Sequence, residues 1–314
     1  MGSFKNEFSW SWSRHRTFGQ CPRMYWLNHY GFWDGWSPDC SPEVREVYIQ
    51  KKLNSRAQWL GTVVHETAEW VLKSVRKGSY PPKEQVIQRA MTKAKRQIED
   101  SQRSLFRTNP KKFPGFVEHY YRSLSEEEED WSDTLDDLMQ QLSNLFSNKV
   151  FLRLCRVPDQ IVEVEDLVQI PVGDIPVWVS LDALVRDDKD GLIIIDWKTG
   201  RNHLSEQVNA QLGVYGVYAL HRYCGQRISG VVPEPPKPLK AMYVNIRHGT
   251  HTTWDLDQGA MQDAVDLIQE SAGQMRGQLA DKDNNIAEKE DFPLLEENSP
   301  VCLGCVYRRT CNRE

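Results

Sequence analysis

The feature that most constrains this chain is an apolar run that ends in charged residues, LIIIDWKTGR at residues 192–201. Its bulky aliphatic residues predict a buried strand, and Gly200 predicts the turn that follows it. Because alternate side chains of a strand point to the same side, Asp196 and Lys198 share one face at the strand end. The pair is either a structural ion pair or half of a metal-dependent hydrolytic site.

Two further strand-like runs precede this one, QIVEVEDLVQIPV at 160–172 and VWVSLDALVRDD at 177–188. The short turn sequences GDIP and DDKDG separate the three runs, so we predict an antiparallel meander of three strands. Asp182 lies in the second strand among apolar residues, where a carboxylate is seldom buried without a partner. Next to Asp196 and Lys198 it would complete a site of hard oxygen ligands suited to Mg²⁺ or Mn²⁺.

Helical spacing of apolar residues predicts helices around this meander. A short helix is expected at about 13–30 and a longer one at 55–78, which Gly78 would end. After the meander we expect a helix with Ser205 as its N-cap, a strand at KAMYVNI and a last helix at DQGAMQDAVDLIQESAGQMRGQL. The chain therefore reads as one mixed α/β domain over residues 1–314, with a mostly helical insert at 81–150.

Three polar residues on these helices are ambiguous when taken singly. His65 begins an HE pair, but Glu69 stands where a zinc protease requires a second histidine, so that class is excluded. Without other information His65 is an ordinary histidine on a helix face. Gln211 and Tyr215 lie four residues apart, which places them on one helix face. Two residues that simply pack against each other would have the same spacing.

Taken together and in order, these residues resemble the RecB-like branch of the PD-(D/E)XK nuclease superfamily. DWKTG is close to the third motif of that branch, and the resemblance spans most of the chain. The matching positions, in chain order, are Gly61-x-x-x-His65, Asp182, Asp196-x-Lys198 and Gln211-x-x-x-Tyr215.

The resemblance implies a restriction-endonuclease-like core and a role for each matching residue. Asp182 and Asp196 would be carboxylate metal ligands, and His65 an additional ligand that favours Mn²⁺ over Mg²⁺. Lys198 would be the catalytic lysine. The glutamine and tyrosine of the last motif would support the site or contact the substrate backbone.

The cysteines form a second pattern. An odd number of them and no export signal argue against a disulfide framework. A C-terminal trio, Cys302-x₂-Cys305-x₅-Cys311, together with the distant Cys21, offers four thiolates for zinc or for an iron–sulfur cluster. Spacing alone leaves both metals open, and free thiols near a frayed tail are the third alternative. All seven cysteines are Cys21, Cys40, Cys155, Cys224, Cys302, Cys305 and Cys311.

The resemblance favours iron. Some RecB-like nucleases, among them CRISPR-associated adaptation nucleases and AddB helicase–nuclease subunits, join their termini through a [4Fe-4S] cluster. CPRMYWL near the N-terminus and the cysteines within 300–314 reproduce their pattern. It implies a structural cluster held by Cys21 and the C-terminal trio, with the remaining three cysteines as ordinary thiols. Aromatic residues near the N-terminus are expected to pack around the cluster, with stacking on unpaired bases as the alternative use.

Composition limits the partners. Apolar and charged contents of 39% and 26% suit a globular protein, and the net charge of -5 argues against a nucleic-acid coat protein without excluding a local basic groove. No stretch has membrane-spanning length, so we expect a cytoplasmic protein. Taken one at a time, each basic residue of the insert is best explained as a solvated side chain. Taken together, these residues suggest a channel for single-stranded DNA. These residues, with two from the tail, are Lys73, Arg76, Lys77, Lys93, Lys95, Arg96, Lys111, Lys112, Arg308 and Arg309.

Three functions remain to be distinguished. The first is a metal-dependent DNA nuclease that acts as an exonuclease or processes ends, in DNA repair or antiviral defence. The second is a catalytically silent subunit that binds DNA within a helicase–nuclease or defence complex. The third is a zinc-stapled structural protein with an accidental D-x-K. The intact Asp182, Asp196 and Lys198 favour the first, and a protein partner is expected for either of the first two.

Overall fold

The structure is a computed structural model that describes residues 5–121, 130–201 and 206–313. Its strands are β1 (Trp10–Ser11), β2 (Leu53–Asn54), β3 (Gly115–Phe116), β4 (Ile161–Glu163), β5 (Leu167–Val172), β6 (Ile175–Ser180), β7 (Ala183–Arg186), β8 (Leu192–Lys198), β9 (Leu239–Asn245) and β10 (Thr250–Asp255). Its α-helices are α1 (Trp12–Gln20), α2 (Pro22–Trp26), α3 (Pro42–Lys51), α4 (Arg56–Val75), α5 (Lys83–Gln102), α6 (Leu105–Thr108), α7 (Val117–Tyr121), α8 (Ser132–Leu145), α9 (Lys149–Arg156), α10 (Glu206–Cys224), α11 (Gln258–Gly277) and α12 (Pro300–Leu303). A π-helix continues α2 at Leu27–Gly31, and 3₁₀ turns lie at Pro158–Gln160 and Lys289–Asp291.

A mixed sheet in the order β10-β9-β8-β7-β4 forms the centre of the described part of the chain. The middle strand, β8, runs antiparallel to β7 and parallel to β9. Ile194 packs in an apolar cluster with α10 and α11, whereas Ile195 packs in another with α4 and α9. Both faces of β8 are therefore covered by helices, which explains its nearly continuous apolar sequence.

The prediction of a three-stranded meander was wrong. Each of the two upstream runs breaks into two strands: β5 and β6 form a hairpin in a separate sheet with β1, while β4 and β7 join the central sheet. The breaks lie at Glu165, whose φ is +50°, and at Leu181, whose carbonyl accepts a hydrogen bond from the Glu165 N–H at 2.9 Å. Asp182 consequently lies in a bend between β6 and β7, not within a strand.

The helix predictions were mostly confirmed. The helix predicted at 55–78 is α4, which begins with a capping box between Ser55 and Gln58 and ends at Val75, just before Gly78. The predicted helix at 13–30 is interrupted at Cys21, which is extended and caps α2 with its sulfur. α10 and α11 lie where helices were predicted, whereas the Ser205 N-cap lies outside the described residues. α3 and β10 were not predicted.

The helices between residues 81 and 150 pack onto α4. Val86 and Ala94 of α5 and Leu138 of α8 share an apolar cluster with Val64 of α4 and with Trp197 of β8. These helices therefore cover one side of α4 and shield it from the solvent. Among the described helices, none has both the length and the apolar character needed to cross a membrane.

One buried carboxylate fastens α10 to the central sheet. Glu163 at the end of β4 is 3% exposed and accepts hydrogen bonds from Tyr218 at 2.7 Å and from Tyr223. Both tyrosines lie in α10. A buried carboxylate is tolerated only with such donors.

We expect Tyr218→Phe to lower the free energy of unfolding by about 1–3 kcal/mol, because it removes a donor from the buried Glu163 carboxylate. Urea denaturation measures the change. Tyr80→Phe, at a side chain 62% exposed, is the matched control and should change stability by less than about 0.5 kcal/mol. Equal stability of the two variants would contradict this account.

Candidate active site

The charged end of β8 is a buried ion pair. Asp196 is 2% exposed, and the Lys198 Nζ lies 2.6 Å from its Oδ2 atom. Burial raises the pKa of the Asp196 carboxyl to about 6, with the Lys198 ammonium opposing the rise and the Asp182 carboxylate adding to it. Burial alone would lower the pKa of Lys198, but the facing Asp196 carboxylate reverses this and holds it above its usual value. Lys198 is therefore a charged ammonium, and it is held next to the Asp196 carboxyl, whose pKa is raised.

Asp182 connects β8 with α4. Its Oδ2 atom accepts a hydrogen bond from the Trp197 backbone N–H at 2.5 Å, and its Oδ1 atom lies 3.2 Å from the His65 Nδ1. Burial would raise the pKa of Asp182, but His65, Lys198 and the Trp197 N–H together hold it below its usual value. Asp182 is thus an ionised carboxylate in a mostly enclosed position.

His65 faces a second carboxylate that the sequence analysis missed. Glu165 Oε1 lies 3.6 Å from the His65 Nδ1. Burial opposes protonation of His65, but Asp182 and Glu165 outweigh it and raise the pKa of His65 to about 10. Donor atoms of His65, Glu165 and Asp182 all lie within 4.8 Å of one another.

The position of Glu165 depends on the break after β4. Its φ of +50° is unusual for a residue other than glycine, and such conformations are frequent at functional sites. The available sequence signal was the alternation of Glu163 and Glu165 in an apolar run, VEVEDLV. Interpreting that run as one continuous strand hid the fact that the two carboxylates have different surroundings.

These three residues fit a hard divalent cation. One imidazole nitrogen, which would release its proton when a cation binds, and two carboxylate oxygens converge, which is a donor set suited to Mn²⁺ or Mg²⁺. Of the predicted ligands, the structure brings His65 and Asp182 together. Asp196 lies outside this group of donor atoms and contacts Lys198, and its assignment as a metal ligand stays a prediction.

Glu165→Gln should weaken Mn²⁺ binding at least about 10-fold, because even the loss of an outer partner of a metal ligand costs about that much. Isothermal titration calorimetry with MnCl₂ measures the affinity. Glu66→Gln is the control, since Glu66 lies on the same helix as His65 but pairs with Lys93 at 2.6 Å. If the two variants bind Mn²⁺ equally, Glu165 is not a ligand.

Gln211 and Tyr215 of α10 form a pair, and Tyr215 lies near the carboxylates. Gln211 Nε2 donates to the Tyr215 hydroxyl at 2.6 Å, and Tyr215 is 9% exposed. Burial, followed by the nearby Asp196 and Asp182, raises the pKa of Tyr215 well above its usual value. Its hydroxyl therefore stays protonated and can donate a hydrogen bond towards a bound substrate.

Gly61 allows α4 to approach β8 closely. A Cβ atom at this position would lie 3.0 Å from the Thr199 Oγ1, just beyond Lys198. A larger side chain would push the helix, and His65 one turn later, away from the end of the strand. The G-x-x-x-H spacing is thus explained by contact geometry.

The four candidate ligand cysteines are neighbours in space. Cys21 Sγ accepts a hydrogen bond from the Met24 N–H, and Cys305 Sγ lies 4.0 Å from the Met24 Sδ, 281 residues away in sequence. Burial, with smaller contributions from the other three thiols, raises the pKa of Cys305 to about 11. No three of the sulfurs lie within 4.8 Å of one another in the described part of the chain.

Several of the basic residues predicted to contact DNA form ion pairs within the protein, and these lie on α4 and α5. Lys73 contacts Glu69 at 2.9 Å and Asp166 at 3.5 Å, next to the candidate metal ligands. Lys93 pairs with Glu66 as noted above. In the C-terminal tail, the Arg308 guanidinium stacks 3.9 Å from the centre of the Tyr121 ring. The acidic residues 126–129 lie outside the described residues.

The fold thus gathers a histidine, carboxylates and a lysine around the end of β8 in the central mixed sheet. The family model of the PD-(D/E)XK nuclease superfamily matches residues 9–312. This chain belongs to that superfamily. No curated protein matches the chain.

Two solved structures were compared with it. An Eubacterium rectale protein described as a "Putative exonuclease" is 10% identical, with 94% of this chain and 87% of that one covered and a TM-score of 0.46. A protein named SSO0001 is 17% identical, with 62% and 91% covered and a TM-score of 0.27. Because these identities and TM-scores are low, the assignment to the superfamily is based on the family model alone.

Proposed function

We propose that this protein is a metal-dependent DNA nuclease of the RecB-like type. The observation that carries the proposal is the convergence of His65, Glu165 and Asp182 beside the buried Asp196–Lys198 pair. A structural ion pair explains the second group but not the first. Three donor groups assembled from α4, the β4–β5 loop and the β6–β7 bend are arranged as a cation site would require.

Each residue has a role in this proposal. His65, Glu165 and Asp182 would hold the cation, which when bound polarises a phosphoryl oxygen and lowers the pKa of water. Lys198 would stabilise negative charge that develops on the phosphate, since its ammonium is fixed at the strand end by Asp196. Tyr215, oriented by its hydrogen bond from Gln211, would donate to the strand.

The substrate we propose is single-stranded DNA, cleaved from an end. Support comes from Lys73 beside the metal ligands and from a groove of about 850 Å³ that Arg308 lines. Phosphate contacts from such cations supply affinity without sequence preference. A protein partner, such as a helicase, would deliver the strand.

We also propose that Cys21, Cys302, Cys305 and Cys311 hold a structural [4Fe-4S] cluster. A single zinc ion with Zn–S bonds of about 2.3 Å brings its sulfurs to about 3.8 Å from one another. A cluster keeps them farther apart, because each sulfur binds a different iron atom. The nearness of these four thiols supports a shared metal site, and the resemblance of the CP and C-x₂-C-x₅-C pattern to that of the cluster-containing nucleases favours the cluster over zinc.

The direct test uses labelled single-stranded DNA and protein purified without oxygen. We expect cleavage with Mn²⁺ or Mg²⁺ and none after chelation of the divalent ion by EDTA, read by gel electrophoresis. Asp182→Asn should be inactive, because it removes the charge that His65 and the cation both need. If neither metal supports cleavage by the folded wild-type protein, a silent DNA-binding subunit becomes the better description.

A further inference from the structure

A second cavity opens directly beside the candidate active site. It has a volume of about 400 Å³ and shares Gln211 and Tyr215 with the site. Its other principal walls come from the N-terminal segment and from the β5–β6 hairpin. We call it the Trp178 pocket; the residues that matter for the argument are Trp12, Leu167, Trp178, Ser180, Gln211 and Tyr215.

The pocket presents aromatic and aliphatic surface to the solvent. Trp178 is 37% exposed and Leu167 is 66% exposed, and both lie on the more exposed face of the hairpin. β1 pairs with β6 so that Ser11 is opposite Trp178, which brings the next residue, Trp12, to the same rim. Exposed apolar surface of this kind marks a binding site when it lies beside polar groups.

The lining chemistry excludes a charged occupant. Every lining residue of the pocket, within the described part of the chain, is apolar, aromatic or an uncharged polar residue. A phosphate would find no cation there. A flat, neutral ring with hydrogen-bonding edges suits the tryptophan faces, the Ser180 hydroxyl and the Gln211 amide.

The pocket is coupled to the metal ligands through Ser180. Its hydroxyl donates to the Glu165 Oε2 at 3.4 Å, and Asp182 follows two residues later. Because Ser180 and Asp182 are two residues apart, their Cα atoms lie at most about 7 Å from each other. A base attached to the nucleotide whose phosphate lies at the carboxylates is therefore within reach.

We propose that the Trp178 pocket binds one unpaired nucleobase of the DNA strand, next to the phosphate that is cleaved. The inference rests on the proposed nuclease function and deepens it. Stacking on a tryptophan is tolerant of base identity, whereas a base held in a duplex is already stacked and paired and cannot enter. The pocket is thus the physical basis for a preference for single strands.

The experiment compares the full-length wild type with Trp178→Ala, and uses Tyr80→Ala as a control at an aromatic side chain that is 62% exposed and does not line the pocket. The substrates are a labelled single-stranded oligonucleotide, the same strand in a duplex, and a set in which one abasic site is moved along the strand. Initial rates give kcat/KM, and thermal unfolding verifies that each variant is folded.

We expect Trp178→Ala to lower kcat/KM on the single strand by about 5- to 150-fold, mainly through KM, while Tyr80→Ala leaves it unchanged. For the wild type, an abasic site at one position beside the cleaved bond should cause a similar loss. The same abasic site should cause no further loss in Trp178→Ala, because the base and the ring form one contact.

The failures are distinguishable. If the wild type cleaves DNA but the abasic scan is flat, or the Trp178→Ala and Tyr80→Ala variants behave alike, the pocket assignment is wrong and the nuclease remains. Equal dependence of duplex cleavage on Trp178 also overturns it. If the wild type neither cleaves nor binds DNA, the proposed function and this inference fall together.

Discussion

Replacing Lys198 by alanine should lower kcat for DNA cleavage about 100- to 1000-fold, with binding of the strand nearly unchanged. The Lys198 ammonium is held by Asp196 at the end of β8, next to the cation ligands. Charge that develops on the phosphate would lose its fixed positive neighbour, whereas contacts along the rest of the strand persist. Single-turnover rates and fluorescence anisotropy measure the two quantities separately.

The variant also leaves Asp196 without its partner, so stability must be measured beside activity. Removal of one member of a buried pair costs about 3–5 kcal/mol. Burial and Asp182 raise the pKa of Asp196 whereas Lys198 lowers it, so removal of Lys198 should raise that pKa further, and protonation of Asp196 should reduce the loss of stability as the pH falls. Thermal unfolding at two pH values tests this.

Lys240→Ala is the matched control. Lys240 lies on the neighbouring strand β9, is paired with the largely exposed Asp255 at 3.4 Å, and should tolerate the change with activity and stability close to wild type. Full activity of a folded Lys198→Ala protein would remove Lys198 from the proposed chemistry and return the D-x-K sequence to a structural ion pair.

The second large effect concerns the termini. Cys305→Ser should abolish the brown colour and the iron content of protein purified without oxygen, and should lower the melting temperature markedly. A link between Cys21 and the C-terminal cysteines closes a loop of nearly the whole chain, which a chain-entropy treatment values at about 5 kcal/mol. Iron analysis, the visible absorption spectrum and thermal unfolding provide the three measurements.

Cys155→Ser provides the comparison, because Cys155 packs against the apolar cluster on α4, away from the other cysteines. It should keep the iron and most of the stability. Purified wild type with stoichiometric zinc and no iron would contradict the cluster and support a zinc staple. Wild type without any metal, and with Cys305→Ser as stable as Cys155→Ser, would leave these residues as free thiols.

Local patterns predicted much of the helical framework. Ser55 and Gln58 begin α4 through contacts within four residues, and α10 and α11 follow from apolar spacing alone. The D-x-K face of β8 follows from the alternation of a strand. In each case the relevant interactions are close in sequence, so a single chain segment contains the information.

The errors have the opposite origin. The strand runs around Glu165 and Asp182 are locally uniform, and nothing within either run states that the chain passes from one sheet to another there. That crossing depends on the Glu165 N–H bonding to the Leu181 carbonyl, sixteen residues away. Because side-chain direction changes at such a break, the surroundings of Glu165 could not be read from alternation.

By itself, therefore, the sequence determined most of the long helices, the buried strand β8 and the chemical types available for a site: a histidine, acidic residues, a lysine and four cysteines. Only the tertiary structure decided which carboxylates meet. It placed Glu165 beside His65 and Asp182, and left Asp196 paired with Lys198. The physical reason is that donor atoms converge through packing between distant segments, whereas sequence patterns report interactions along one segment.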